Sequence, residues 1–190
     1  MTRFVVLASG DGSNLQAMLD AGLDVVAVVT NVSNAHALER AARAGVATAV
    51  VVRHDGESRP DYDTRLALEV ARFAPDFVML AGWNRILSFP FLDRFPNRVV
   101  NLHPALPGEL PGLHAIERAH AEAVAGHRTH SGVMVHLVPD DGVDTGPLLA
   151  SVAVAVSSGD SLDDFAARMH AAEHELLVRT LRNLMREETP

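Results

Sequence analysis

Cysteine is absent from this chain of 190 residues. Its absence excludes a disulfide-stapled secreted scaffold, a cysteine nucleophile, a zinc finger and an iron–sulfur site. Positive charge is also scarce, because 16 Lys and Arg face 24 Asp and Glu, which gives a formal net charge of −8. Nonspecific binding to nucleic acid needs an excess of positive charge, so we expect no nucleic acid partner.

No long hydrophobic run marks a targeting or membrane segment. The apolar residues after Met1 end at Ser9 and Gly10, which is too short for a signal peptide or a spanning helix. No linker, repeat or low-complexity stretch is visible either. We therefore expect a single domain over residues 1–190, located in the cytoplasm and without a membrane partner.

Strand-like and helix-like segments alternate through the first half of the chain. Phe4–Ala8 is a continuous apolar run of the kind that is buried on both faces of a parallel sheet. Similar runs lie at Val25–Val29, Ala47–Val52, Phe77–Leu80 and Val99–Leu102. Helical patterns separate them at Leu15–Ala21, Ala35–Ala44 and Asp61–Phe73. The alternation predicts an α/β fold with an open, doubly wound, Rossmann-like and mostly parallel sheet.

The second half of the chain has a different pattern. A helix is expected at Ala115–Ala125, followed by two strands at Val133–Val138 and Leu148–Val156. Only a turn separates these strands, so they predict an antiparallel or mixed extension of the sheet. A final helix is expected to begin after a cap at Ser161, with Asp164 three residues later.

A glycine-rich segment, Ser9–Leu15, connects the first strand to the first helix. The amides of Gly12, Ser13 and Asn14 would open the helix and offer hydrogen-bond donors and partial positive charge to an anion. The third glycine of the dinucleotide fingerprint would fall at Leu15, and no P-loop Lys follows, which disfavours NAD and nucleoside triphosphates. The segment predicts a phosphate site, with a tight turn capped by Ser13 as the alternative.

Asn101 and His103 lie at the carboxyl end of the last predicted parallel strand, where ligands bind in open α/β sheets. Strand alternation places both side chains on one face. An Asp from the acidic loop at 140–147 that reached His103 would fix its tautomer and raise its pKa, as a proton shuttle requires. A hydrogen-bonded structural His and a solvated hairpin are the alternatives.

Five segments in this order carry a family resemblance: Gly10–Leu15, Ala74–Leu87, Asn101–Pro104, Pro111–His114 and Asp144–Pro147. They resemble the folate-dependent glycinamide ribonucleotide formyltransferases of purine synthesis. The resemblance implies a transferase that moves a formyl group from 10-formyltetrahydrofolate, its co-substrate, to the amine of glycinamide ribonucleotide. It also implies small-molecule substrates, no metal, and a monomer or homodimer. The extra domains of the related tRNA formyltransferases and formyltetrahydrofolate deformylases do not fit in 190 residues.

The resemblance also assigns roles to individual residues. Gly12, Ser13 and Asn14 are similar to the cradle for the ribotide phosphate, and Glu173 to the residue that accepts from the ribose hydroxyls. Asn101 and protonated His103 correspond to the donors that stabilise the oxyanion, while Asp144 keeps His103 oriented and charged. The implied folate site comprises Arg59, Asn84, Arg85, Ile86, Leu87 and Asn101. Residues 1–100 would then form a phosphate-binding half, and residues 101–190 a catalytic and folate-binding half.

The chain departs from the family pattern at Ala105, at residues 106–108, at Met134 and at His170, where the family often carries Gln or Lys. Other functions are compatible with parts of the sequence. Residues 170–174 match the inverted zinc-protease motif, which needs a third protein ligand that the last sixteen residues hardly offer. A noncatalytic phosphosugar-binding module, another folate-dependent formyltransferase and a formyltetrahydrofolate hydrolase are the remaining alternatives.

Overall fold

The computed structural model describes residues 1–187, so the last three residues of the predicted domain lie outside the described part of the chain. Its strands form one sheet, which contains strands from both halves of the chain. They are β1 (Arg3–Leu7), β2 (Asp24–Thr30), β3 (Ala47–Val50), β4 (Phe77–Leu80), β5 (Val99–His103), β6 (His130–Leu137) and β7 (Leu148–Ala155). The helices are α1 (Ser13–Asp20), α2 (His36–Arg43), α3 (Arg59–Ala71), α4 (Phe89–Leu92), α5 (Ala115–Val124) and α6 (Leu162–Glu187).

The order of the strands across the sheet is β3-β2-β1-β4-β5-β6-β7. Strands β1 to β5 pair in parallel, whereas β6 pairs antiparallel with both β5 and β7. The predicted α/β class, the mostly parallel doubly wound sheet, its antiparallel extension and the final helix are therefore confirmed. The final helix begins as expected, because the Asp164 N–H donates to Ser161 Oγ at 3.1 Å.

Two hydrophobic cores cover the two faces of this sheet. Successive side chains of a strand point to opposite faces, so Phe4 and Val6 enter one core while Val5 and Leu7 enter the other. Helices α1, α2, α5 and α6 supply the first core, and α3 and α4 supply the second. Burial on both faces explains why the central strands read as continuous apolar runs.

The predicted strand Ala47–Val52 behaves differently from the other parallel strands. Its observed counterpart, β3, ends at Val50 and occupies the edge of the sheet, where Val50 remains 45% exposed. The apolar run had indicated burial on both faces, and the edge position explains why this was wrong for β3. The short helix α4 was not predicted; Ser88 precedes it and Pro90 lies in its first turn.

The strand order reverses between β1 and β4. The chain moves outward from β1 to β2 and β3 and then returns to β4 on the other side of β1. A crevice forms at such a switch point beyond the carboxyl ends of the strands, and ligands of open α/β sheets bind there. No helix within residues 1–187 is long and apolar enough to cross a membrane.

Candidate active site

A cavity of about 480 Å³ opens beyond the carboxyl ends of β4 and β5. Three of its lining side chains, Ile86, Leu113 and Val143, are large hydrophobic residues that remain 36–61% exposed to solvent. Polar and ionisable side chains line the same cavity: Asn84, Arg85, Asn101, His103, His114, His136, Asp140 and Asp144. The cavity thus combines an apolar surface for a flat ligand with a small group of titratable residues.

Asn101 and His103 both line the cavity from β5, as the strand alternation predicts. Asn101 Nδ2 donates to Asp144 Oδ1 at 3.0 Å and lies 3.1 Å from His136 Nε2. His136 stands directly opposite Asn101 on the neighbouring antiparallel strand β6. The Asn101 amide nitrogen is therefore in contact with two other side chains that line the cavity, and it donates to Asp144.

His103 is buried and has a neighbour at each ring nitrogen. Its Nε2 lies 3.0 Å from the Leu110 carbonyl oxygen, and its Nδ1 lies 3.4 Å from Asp144 Oδ2. A carbonyl oxygen can only accept, so Nε2 carries a hydrogen and Nδ1 is the nitrogen that gains or loses a proton. The Leu110 carbonyl thus fixes the tautomer and orients the ring, while Asp144 faces the titrating atom.

The pKa values of this pair shift in the same direction. Burial lowers the pKa of His103, and the opposing effect of Asp144 only partly offsets burial. Asp144 acts to raise the His103 pKa, as expected from the sequence, but the expectation did not include burial, whose larger effect makes the overall shift downward. Burial acts to raise the pKa of Asp144, but contact with His136, the Gly112 N–H and His103 lowers it overall. Asp144 consequently remains a carboxylate beside a histidine that is readily neutral.

Two backbone features hold Asp144 in this place. The Gly112 N–H donates to Asp144 Oδ2 at 2.9 Å, which joins the loop at 140–147 to the loop before α5. Asp144 itself has φ +56°, a left-handed conformation that Asp tolerates better than most residues. The carboxylate is therefore held by the backbone of two loops together with the hydrogen bond from Asn101 on β5.

The glycine-rich segment forms a turn that leads directly into α1. Gly12 is the N-cap residue with φ +79°, and a Cβ there would lie 2.8 Å from the Cβ of Ala37 on α2. Among residues 1–187, no side chain accepts a hydrogen bond from the first turn of α1. The N–H groups at Ser13 and Asn14 are therefore available to an anion.

Glu173 reaches this turn from α6 at the far end of the chain. Asn14 Nδ2 donates to Glu173 Oε2 at 3.2 Å, and His170 Nδ1 lies 2.9 Å from the same oxygen. Glu173 is 5% exposed, and its hydrogen bond with His170 raises the His170 pKa. Asn14 Oδ1 is buried without a hydrogen-bond partner within the described residues, so it can accept a hydrogen from a ligand.

A polar cluster that the sequence did not indicate joins this turn to the cavity. Ser9 Oγ lies 2.7 Å from Asn31 Oδ1 and accepts from the Asn84 N–H at 3.1 Å. Asn31 Nδ2 donates to Asn84 Oδ1 at 2.8 Å. These residues follow β1, β2 and β4, whose carboxyl ends meet only in the folded sheet. The segment at 84–87 is therefore anchored to the glycine-rich turn.

Arg59 lies at the first turn of α3 and contacts two segments beside the cavity. Its Nη2 donates to the Leu87 carbonyl oxygen at 3.3 Å and to Asp141 Oδ2 at 3.1 Å. Residues 84–87 line the cavity together with Asn101, as a folate site at these residues requires. Both predicted sites therefore draw on both halves of the chain, because Glu173 completes the first and residues 59–87 build the second.

The residues that match a zinc-protease motif have a different environment from a metal centre. Glu173 is engaged with Asn14 and His170, and burial lowers the pKa of His174. Within residues 1–187, no three His, Asp or Glu side chains converge in an arrangement that could hold a metal ion.

Comparisons with a family profile and with individual proteins point to the same family. The profile of the formyl transferase family matches residues 2–181. Phosphoribosylglycinamide formyltransferase of Escherichia coli (strain K12) is 42% identical over 178 residues, which cover 90% of this chain and 82% of that protein. The trifunctional purine biosynthetic protein adenosine-3 of Drosophila pseudoobscura pseudoobscura is 40% identical over 94% of this chain, which spans only 13% of that longer protein.

The fold shows the same similarity. The crystal structure of glycinamide ribonucleotide transformylase 1 from Symbiobacterium toebii matches with a TM-score of 0.88 and 37% sequence identity. The match covers 96% of this chain and 86% of that one.

Proposed function

This chain belongs to the formyl transferase family, and we propose that it transfers a formyl group from 10-formyltetrahydrofolate to the amine of 5-phosphoribosylglycinamide in purine biosynthesis. The observation that carries the proposal is the cavity in which Asn101, His103 and Asp144 meet beside the segment at 84–87. One ligand can therefore be held against the apolar wall while its reactive group faces the titratable residues.

The folate is expected to bind with its pterin against residues 84–87 and its reactive formyl group toward β5. Ile86 and Leu113 offer exposed apolar surface in the cavity, which favours a flat aromatic ligand. The cationic side chains of Arg59 and Arg85 lie beside the same segment, where they suit the carboxylates of a folate tail.

The ribotide is expected to bind at the N-terminus of α1. Its phosphate would accept from the free amides at Gly12, Ser13 and Asn14. The ribose hydroxyls would donate to Glu173 and to the unpartnered Asn14 Oδ1. His170 offsets the negative charge of Glu173 close to the phosphate.

The transfer begins with attack of the glycinamide nitrogen on the formyl carbon, which forms a tetrahedral intermediate with an oxyanion. Protonated His103 would donate from Nδ1 to this oxyanion, since Leu110 already holds the Nε2 hydrogen. The carbon–N10 bond then breaks, and the proton lost by the amine is delivered to N10 of the departing tetrahydrofolate. Asp144 stabilises the charged His103 and is placed to hold a water that relays this proton.

The substrate amine is itself the nucleophile, so the transfer needs no metal. A cytoplasmic location and a monomeric or homodimeric state remain predictions from the sequence.

Fluorescence and turnover together test the proposal. Trp83 is the only tryptophan in the chain and it lines the cavity, so folate binding should change its emission, whereas the ribotide alone should not. With both substrates, release of tetrahydrofolate should require the ribotide. Folate release in the absence of ribotide would identify a hydrolase, and ribotide binding without any turnover would identify a binding module.

A further inference from the structure

The loop between β5 and α5, residues 104–114, supplies the backbone group that orients the His103 ring. Its Leu110 carbonyl oxygen lies 3.0 Å from His103 Nε2. We propose that the ion pair between Arg128 and Glu109 holds this loop in place, which makes both of them positioning residues for His103. The consequence for formyl transfer rests on the proposed function, whereas the consequence for the His103 ring does not.

The backbone of this loop has a conformation that needs support from other contacts. Leu110 has φ +43°, in the left-handed region that is unfavourable for a leucine. Gly108, Gly112 and His114 also have positive φ, so every second residue from 108 to 114 is left-handed. A non-glycine residue keeps such a conformation only where surrounding contacts determine it. The direction of the Leu110 carbonyl therefore depends on the contacts of its neighbours.

Two arginines hold the residues on either side of Leu110. Arg128 Nη1 donates at 2.5 Å to Oε2 of Glu109, the preceding residue. Arg118 Nη2 donates at 2.9 Å to the carbonyl oxygen of Pro111, the following residue. The segment that presents the Leu110 carbonyl to the active site is therefore held at both ends.

Arg128 is itself firmly placed, since its side chain is only 14% exposed. Its Nε donates to Glu122 Oε2 on α5 at 2.7 Å, and its Nη1 also donates to the His130 carbonyl oxygen on β6 at 3.1 Å. The planar guanidinium thus joins the loop to a helix and a strand. Because the cation is largely buried, solvent and salt screen its pairing with Glu109 less than they screen an exposed pair.

The position of the Leu110 carbonyl affects the charge of His103. Burial is the largest effect and lowers the His103 pKa, while Asp144 and the hydrogen bond to the Leu110 carbonyl act to raise it. The other charged or titratable groups that act on the ring are His136 on β6 and Arg118 on α5, and both lower its pKa. A displaced carbonyl would therefore lower the His103 pKa further and leave less of the charged donor.

The two carboxylates that contact Arg128 provide a matched pair of substitutions. E109A removes the link to the loop, whereas E122A removes the other ion pair of Arg128 and leaves the loop contact. We expect E109A to lower kcat by about 10-fold with little change in the KM for the ribotide. Its kcat should also begin to fall at lower pH than that of the wild type, because protonated His103 is required. E122A should keep the kcat and the pH profile of the wild type.

A third variant separates the position of the loop from the charge of Glu109. In E109Q the amide oxygen can still accept from Arg128, so we expect this variant to recover most of the activity lost in E109A. Equal kcat and equal pH profiles of E109A and E122A would overturn the proposal. An E109Q variant as impaired as E109A would also overturn it, because the charge of Glu109 would then be responsible.

NMR titration of ¹⁵N-labelled histidine tests the same contact without turnover. In the wild type we expect the neutral His103 ring to carry its hydrogen on Nε2, and a hydrogen on Nδ1 instead would refute the contact with the Leu110 carbonyl. The pKa of His103 should be lower in E109A than in the wild type and unchanged in E122A. An unchanged His103 pKa in E109A would contradict the proposal. If the pKa changes as expected but the wild type transfers no formyl group, the proposed function is wrong and the positioning of His103 stands.

Discussion

At the scale of single residues, the charge state of His103 depends on two opposing effects. Burial favours the neutral ring, and the Asp144 carboxylate 3.4 Å from Nδ1 favours the charged ring. Because burial is the larger effect, the protonated form that donates to an oxyanion depends on the one carboxylate that faces it. Asp144 therefore controls how much of the enzyme is in the active charge state.

Replacement of Asp144 by Asn should remove this control. We expect D144N to lower kcat by about 100-fold or more, since the oxyanion loses its charged donor. Ribotide affinity, measured by calorimetry, should stay close to that of the wild type because the phosphate binds at α1. The matched control is D141N in the same loop, whose exposed ion pair with Arg59 should matter little for turnover. Equal turnover of D144N and the wild type would remove Asp144 from the mechanism.

His170 offers a test of residue electrostatics through protein stability. Its hydrogen bond with Glu173 raises its folded-state pKa, so the folded protein binds this proton more tightly than the unfolded chain. The stabilisation is fully present below the unfolded pKa of about 6.5 and is lost as pH rises through the raised value. Denaturant unfolding should therefore show that H170Q is destabilised at low pH more than at high pH. A difference that is independent of pH would contradict this coupling.

The roles of individual residues could be predicted only where those residues lie in a recognisable sequence motif. Asn101, His103 and Asp144 were found because they lie in recognisable segments. His136 lies within an apolar strand. Its contact with Asn101 depends on the β5–β6 register, which the sequence alone does not reveal. Ser9 and Asn31 likewise meet Asn84 only through the order of the strands.

At the scale of elements, the phosphate turn depends on how closely α1 approaches α2. Gly12 combines a left-handed backbone with a Cβ position that Ala37 already occupies. A side chain at this position would force the turn away from α2 and disturb the first amides of α1. The predicted ribotide site is therefore built on the packing of two helices.

Substitution of Gly12 by Ala should destabilise the protein by about 1–3 kcal/mol through overpacking and strain. Ribotide affinity should fall as well, whereas folate binding detected by Trp83 fluorescence should not. G10A is the matched control, because a Cβ at Gly10 meets no atom within 4 Å. Equal stability of G12A and G10A in denaturant unfolding would show that the turn does not need the glycine.

The positions of strands and helices could be predicted where the sequence carries a clear signal of burial or of an N-cap. The central strands and the Ser161 cap of α6 were predicted because continuous apolar runs and N-cap residues have local causes. The exposure of β3 was missed because an apolar run does not reveal whether a strand lies at the centre or the edge of a sheet. Helix α4 is too short to show a helical period.

At the scale of the whole molecule, an anionic protein must bind an anionic ribotide. With a formal net charge of −8, long-range electrostatics oppose the approach of the phosphate. Binding must then depend on short-range contacts with oriented amides and on His170. The negative net charge, which disfavours nucleic acid binding, thus also limits the ways in which the protein can recognise the ribotide phosphate.

Ionic strength should reveal this balance. Added salt screens the repulsion between the protein and the ribotide, while close contacts are screened much less. We expect KM for the ribotide to stay constant or fall as monovalent salt rises from about 50 to about 200 mM. A steep rise in KM over this range would indicate a site that depends on net positive charge.

The central claim is that the formyl carbon passes from the folate to the ribotide amine. The most direct measurement uses 10-formyltetrahydrofolate labelled with ¹³C at the formyl carbon and follows the label by NMR in the presence of ribotide. We expect the label to appear as a formamide on the ribotide nitrogen, in equal amount to the tetrahydrofolate released. Label that appears as free formate, or that stays on the folate, would contradict it.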